Sequence, residues 1–224
     1  MPKKKKRKRK DSDRLEGNRE SRGYRIGVDL GGTKTLALVF DEKYEIVARE
    51  KKKTRATKGA KSLFMDIKTA IKSAIETSEI DKDSIAGIGI GVPGPVNFEE
   101  GRIVFTPNLP FEDFPMKSKL ESAFRVPALV DNDVNVGLLA ELYFGAAEKK
   151  KNVLGVFPGT GIGGALIVNG SILRGASGAA GEIGHTLIDE NGPRCGCGRR
   201  GCLEAICARP AISSQAAILA LRGE

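Results

Sequence analysis

Two groups of residues carry most of the chemistry open to this 224-residue chain. All four cysteines fall between Cys195 and Cys207, and the one histidine, His185, precedes them. Cys195, Cys197 and Cys202 are spaced as C-x-C-x4-C. With one imidazole nitrogen these three thiolates complete a closed tetrahedral shell, the arrangement of structural Zn2+. Cys207 is an alternative fourth ligand to His185. Cysteines this close together point to a metal in a reducing compartment rather than to a disulfide framework.

The second group combines carboxylates with glycine-rich turns. Phosphoryl transfer to a hydroxyl needs a carboxylate that accepts the hydroxyl proton, with N–H donors and positive charge around the phosphate. Asp133, in Asp131-Asn132-Asp133 at the start of a helix-like segment, is the candidate base, although any of the three also suits a helix N-cap. Asp29 suits Mg2+ and its waters, because magnesium takes few direct carboxylates. Gly31, Gly32, Thr33, Lys34 and Thr35 form one turn that can aim backbone N–H groups at an anion. Gly159, Thr160, Gly161, Gly163 and Gly164 form another. This second turn matches the G-x-G-x-x-G dinucleotide fingerprint, with Glu182 near the distance of a ribose-binding acid. The match fails on context: the fingerprint needs a helix next, whereas ALIVNG is β-branched and ends in Asn-Gly, a hairpin signal. Neither turn is a Walker loop. Two such turns suggest a nucleotide held between two lobes.

The elements that must position these residues follow from periodicity. YRIGVDL, TLALVF and YEIVARE read as a meander of three antiparallel strands starting at Tyr24. Leu63, Ile67, Ala70, Ile71, Ala74 and Ile75 recur at helical spacing and lead to the strand-like run Ile85 to Val92. An irregular excursion over 101–127 contains the strand RIVF and a short helix around Lys117 to Phe124. A strand ending at Leu129 and Val130 enters a helix over Val134 to Gly145. VLGVF and ALIVNG then repeat the strand, glycine turn, strand order of the beginning. The reading is one lobe over 24–130 and a second over 131–224, the latter incomplete because only Ala211 to Leu221 looks helical after Gly201.

The formal charge of +9 is misleading as a nucleic-acid signature. Lys3 to Lys10 supply eight of the positive charges, leaving 29 basic against 28 acidic residues. The body is nearly neutral, which argues against a basic nucleic-acid face outside the tail. Residues 1–23 read as a disordered tail, since they hold too little apolar surface to offset ordering. Their basic block is like a nuclear-localisation signal or phosphate-binding arm, but such runs also occur simply as solvating tails. No stretch reaches the roughly 18 apolar residues of a membrane span, and no apolar secretory core follows the basic run. The expected location is the cytoplasm.

From Tyr24 to about Ile212 the chain resembles the ROK sugar kinases and regulators. The resemblance rests on DLGGTKT, GVPGPV at 91–96, PNLP at 107–110, VDNDVN at 130–135, GTGIGG, AGEIGH at 180–185 and CGCGRRGCLE at 195–204. It implies an α/β, actin- and hexokinase-like two-lobed ATPase fold. The implied activity is ATP- and Mg2+-dependent phosphorylation of a hexose, most simply glucose to glucose 6-phosphate, with Asp133 as base. Other members implied by the same motifs phosphorylate fructose, mannose, N-acetylmannosamine or allose, or are non-catalytic sugar-binding regulators. Asn108, Asn132, Glu182, His185 and Glu204 match the family's sugar-binding positions, with Gly94 allowing close approach. The pattern also implies structural Zn2+ on His185, Cys195, Cys197 and Cys202, with Cys207 a spare buried thiol, and a homo-oligomer, dimer or tetramer, at full length.

Overall fold

The computed structural model describes residues 23–223. The expectations for the basic block and most of the tail fall outside these residues. The first layer is a five-stranded sheet in the order β3-β2-β1-β4-β8. Its strands are β1 (Tyr24–Leu30), β2 (Lys34–Phe40), β3 (Ile46–Lys53), β4 (Ile85–Val92) and β8 (Ala128–Asn132). The first three form the antiparallel meander, while β1, β4 and β8 run parallel, with Val28 beside Ile90 and Ile90 beside Val130.

Helix α1 (Gly59–Ser78) makes the crossover from β3 to β4. Its predicted apolar stripe is its buried stripe: Leu63, Ile67, Ala70, Ile71 and Ala74 are fully enclosed and Ile75 nearly so. They pack on the inward side chains of the sheet, among them Ile26, Val28, Ala37, Val39, Ile88 and Ile90, to form the main core. Each large aliphatic side chain buried there contributes roughly 1.5–3 kcal/mol.

The excursion after β4 builds a small sheet of β5 (Val96–Asn97), β6 (Arg102–Phe105) and β7 (Glu112–Phe114), followed by α2 (Met116–Phe124). Helix α3 (Asp133–Phe144) leaves β8 directly and leads to a third sheet. That sheet is antiparallel, β11-β10-β9, from β9 (Val153–Pro158), β10 (Ile162–Val168) and β11 (Ser171–Ile172). Leu138 of α3 packs with Ala165 and Ile167 of β10 in a second, smaller core. Asn169 and Gly170 both take positive φ, 53° and 80°, as the predicted Asn-Gly hairpin requires. Helices α4 (Leu203–Cys207) and α5 (Arg209–Arg222) follow.

The strand, glycine turn, strand arrangement therefore occurs twice, in β1–β2 and in β9–β10. The division read at 130/131 falls inside β8, because Asp131 and Asn132 still pair with Gly91 and Val92 of β4. β9 is the last strand in the order of its sheet and so lies at an edge, with Leu154 and Val156 about half exposed. Among the described residues no helix is long and apolar enough to cross a membrane.

Candidate active site

Parallel pairing brings the acidic residues together. Asp29 near the end of β1 is beside Gly91 of β4, and Gly91 is beside Asp131 of β8. Asp133 begins α3 immediately beyond. A Cβ on Gly91 would lie 3.3 Å from the Asp133 Cα, so the missing side chain lets the helix start close to the sheet. Desolvation in this recess raises the Asp29 carboxyl above the ordinary carboxylate range. The Asp133 carboxyl is also raised, first by burial and further by the charges of Asp29 and Glu182. Asp29 and Glu182 thus stand close enough to Asp133 for their charges to act on it.

The three polar residues at the β8–α3 junction divide the labour. Asn132, not either aspartate, is the N-cap: its Oδ1 accepts from the N–H groups of Val134 (2.9 Å) and Asn135 (3.1 Å). Its Nδ2 donates to the Gly94 carbonyl at 3.2 Å. Much of the Asn132 amide is therefore committed to the protein, which makes it a scaffold for the recess as much as a ligand-facing group. Gly94 has φ 87°, and a Cβ there would lie 2.5 Å from the Phe105 carbonyl oxygen. Asp131 is buried and turned away from Asp133, with Arg174 Nη2 2.7 Å from its Oδ2.

The first glycine turn is braced from below. Gly31 N–H donates to Lys34 O at 2.9 Å, and Thr54, just after β3, donates its hydroxyl to Gly31 O at 2.8 Å. Thr35 was expected among the phosphate-facing groups, but it is 1% exposed and its hydroxyl lies 3.2 Å from that of Thr54. It faces inward because the pleat of β2 puts it on the same face as Ala37 and Val39. Thr54 was missed by sequence reading; a threonine in a charged stretch carries no signal until strand pairing places it.

The second turn is shorter than its motif. Gly159 N–H donates to Gly161 O at 2.7 Å, and β10 begins at Ile162. Gly163 and Gly164, expected in the phosphate turn, lie within that strand. Their missing side chains admit neighbours: a Cβ on Gly163 would lie 2.5 Å from Val134 Cγ2, and one on Gly164 would strike the Gly181 carbonyl. They are glycines because α3 and the Glu182 loop pack against the strand. Exposed Thr160 borders a cavity of about 250 Å3 shared with Arg194, Glu204 and Pro210.

The cysteine cluster forms as spaced. The ligand atoms of His185, Cys195, Cys197 and Cys202 all lie within 4.8 Å of one another. Cys197 Sγ is 3.7 Å from Cys202 Sγ, and His185 Nδ1 is 3.5 Å from Cys195 Sγ. One nitrogen and three sulfurs at this spacing fit zinc. Cys207 lies outside the group, and against the expectation of a buried thiol it is exposed, at the end of the short helix α4. The backbone N–H and then the guanidinium of Arg199 hold the Cys197 thiol down at about 6, whereas burial pushes Cys202 up to about 11. Glu204, expected at the sugar, has Oε2 2.9 Å from the Ile162 N–H it accepts from. Exposed Asn108 stands in the connection between β6 and β7, folded by Thr106, whose hydroxyl donates to Leu109 O at 2.6 Å.

Residues 25–220 match the ROK family. The chain belongs to that family. It is 38% identical to a glucokinase of Halalkalibacterium halodurans over 189 residues, which are 84% of this chain and 57% of that protein. It is 35% identical to the xylose repressor of Bacillus subtilis over 192 residues, 85% of this chain and 49% of the repressor. A ROK glucokinase of Streptomyces griseus, solved with glucose and AMPPNP, superposes with a TM-score of 0.75 at 34% identity, covering 86% of this chain and 59% of that one. The ROK fold, an actin- and hexokinase-like ATPase fold, is thus shared. The chain spans little more than half the length of the curated glucokinases it matches.

Proposed function

We propose that this ROK chain carries the acceptor and phosphate-facing part of an ATP-dependent hexose kinase, with glucose as the acceptor. The observation that carries the reading is the placement of Asp133 beside Gly91 and the Asp29 strand end, with its carboxyl raised by burial and by the charges of Asp29 and Glu182. A base is most useful when its affinity for protons approaches that of the working solution. Asp133 takes the proton of the sugar 6-hydroxyl as its oxygen bonds to the γ-phosphorus. The bond from that phosphorus to the β,γ-bridging oxygen breaks, and ADP leaves with the electron pair. Mg2+ would neutralise the phosphate charge, with Asp29 the residue to hold its waters. The backbone of the turns at Gly31–Lys34 and Gly159–Gly161 faces the phosphates.

Glu182 and the second nitrogen of His185 supply hydrogen bonds to sugar hydroxyls, with Asn108, Asn132, Glu204 and the close approach at Gly94 completing the pocket. A site built this way penalises any ligand lacking those hydroxyls. His185, Cys195, Cys197 and Cys202 would hold a structural Zn2+, which would fix the segment that carries Glu182, His185 and Glu204. The half-exposed Leu154 and Val156, with Ile218 and Leu219 of α5, offer apolar surface for assembly into a dimer or tetramer.

Similarity to the xylose repressor favours a second reading, a sugar-binding regulator without turnover. Titration calorimetry of the zinc-loaded chain against glucose, mannose, fructose, N-acetylmannosamine, allose and xylose tests the acceptor. Tightest binding of glucose is expected. Preference for xylose, or no heat with any sugar, counts against the kinase reading.

A further inference from the structure

We infer that Arg174 is a positioning residue that locks the loop carrying Glu182 and His185 to the turn carrying Asn132 and Asp133. The inference rests on the sugar-site reading above, but the contacts are independent of any ligand. Arg174 follows β11 and spans to the end of β8, where Nε and Nη2 lie 3.1 and 2.7 Å from Asp131 Oδ2. Its guanidinium carbon sits 3.6 Å from the centroid of the Phe98 ring. Asp131 uses its other oxygen within its own turn, accepting from Asn132 N–H at 2.8 Å and Asn135 Nδ2 at 3.1 Å. One buried carboxylate therefore joins the incoming loop to both ends of the Asn132–Asn135 turn.

The loop is shaped to make this reach. Ala180 N–H donates to Arg174 O at 3.0 Å, closing residues 174–180 into a ring. Gly178 presses on β5, where a Cβ would lie 2.6 Å from the Val96 carbonyl oxygen. Two points of attachment, at Val96 and at Asp131, then set where Glu182 emerges relative to Asp133. Arginine suits the post better than lysine, since a planar fork can serve one oxygen with two donors while stacking on an aromatic ring. Removing it leaves the Asp131 carboxylate buried without its partner, the costly half of a broken pair.

The test compares the zinc-loaded chain with Arg174→Met, Asp131→Asn, the double variant and the milder Arg174→Lys. Hydrogen exchange should quicken in both 131–136 and 175–185 for Arg174→Met, with Arg174→Lys intermediate. Arg174→Met with Asp131→Asn should be no worse than Arg174→Met alone, because the two changes remove one link. Glucose affinity should fall on the order of 10- to 100-fold with zinc content unchanged. Faster exchange confined to 175–185, or additive effects of the two substitutions, overturns the inference. If the unmodified chain binds no hexose, the sugar reading fails while the exchange data still decide the role of Arg174. Should Arg174→Met fail to fold, the exchange pattern of Arg174→Lys decides it in the same way.

Discussion

Glu204 Oε2 accepts a hydrogen bond from the Ile162 N–H at 2.9 Å, while its Oε1 lies 3.8 Å from Cys195 Sγ. One side chain therefore ties the cysteine cluster to the strand that leaves the second glycine turn. The space it fills exists because Gly161 has no Cβ, which would collide with that same oxygen. A metal held by that cluster would be linked through Glu204 to the geometry of the turn. Glu204→Gln keeps an acceptor and should bind AMPPNP nearly as the parent does. Glu204→Ala leaves the Ile162 N–H without that partner, at a cost of about 1–3 kcal/mol. Calorimetry with AMPPNP and thermal unfolding would read both, and equal behaviour of the two variants would refute the coupling.

Zinc uptake should be pH-dependent. Ligand thiols must lose their protons to bind metal. Cys197 is held down at about 6 and is largely thiolate at neutral pH, whereas Cys202, pushed up to about 11, is protonated and must release its proton. Apparent affinity should therefore rise with pH from 6 to 8, with proton release on binding. Competition against a chromophoric chelator at several pH values measures this, and a flat profile would contradict it.

Gly164 separates packing from phosphate contact. A Cβ there would meet the Gly181 carbonyl and lie 2.6 Å from Ile183 Cγ1. Gly164→Ala should cost about 1–3 kcal/mol of stability, as overpacking does. Gly159→Ala, with only Gly161 O near, 3.9 Å from the added carbon, should cost much less. Denaturant midpoints decide the point; equal losses at the two sites would return Gly164 to the turn.

The raised Asp133 carboxyl has a stability consequence of definite sign. Its folded-state proton affinity exceeds that of the unfolded chain, whose reference value is 3.8. The folded state then holds more protons between those two values, so stability falls as pH rises through that window. Asp133→Asn removes the charge and keeps an acceptor for the Val134 N–H. It should raise stability, and so Tm, at pH 7, with the gain vanishing below pH about 3.8. A lower Tm at pH 7 would contradict the account.

Periodicity made the strands and helices that carry the site legible. The apolar spacing of α1 and the alternation of β1 and β2 each have one physical solution, so Asp29 and Asp133 could be put at element ends before any coordinates. The close spacing of Cys195, Cys197 and Cys202 likewise put three of the four clustered side chains together, while the fourth, His185 rather than Cys207, took the fold to bring it in. Functions that depend on which side of a pleat or loop a residue takes were hidden. Thr35 turns inward with its strand, Gly163 and Gly164 serve packing, and Asn132 rather than an aspartate caps α3. Thr54 and Arg174 act across 23 and 43 residues of sequence, at Gly31 and Asp131, where only tertiary structure supplies the partner.

In the proposed reaction Asp133 takes the proton of a hexose hydroxyl during phosphoryl transfer. The most direct measurement is ADP release from Mg·ATP and glucose by the zinc-loaded chain and by its Asp133→Asn variant. The account predicts glucose-dependent turnover that drops about 10²–10⁴-fold in the variant, with glucose affinity little changed. Equal turnover in both proteins, or none from the parent with any hexose, would contradict it.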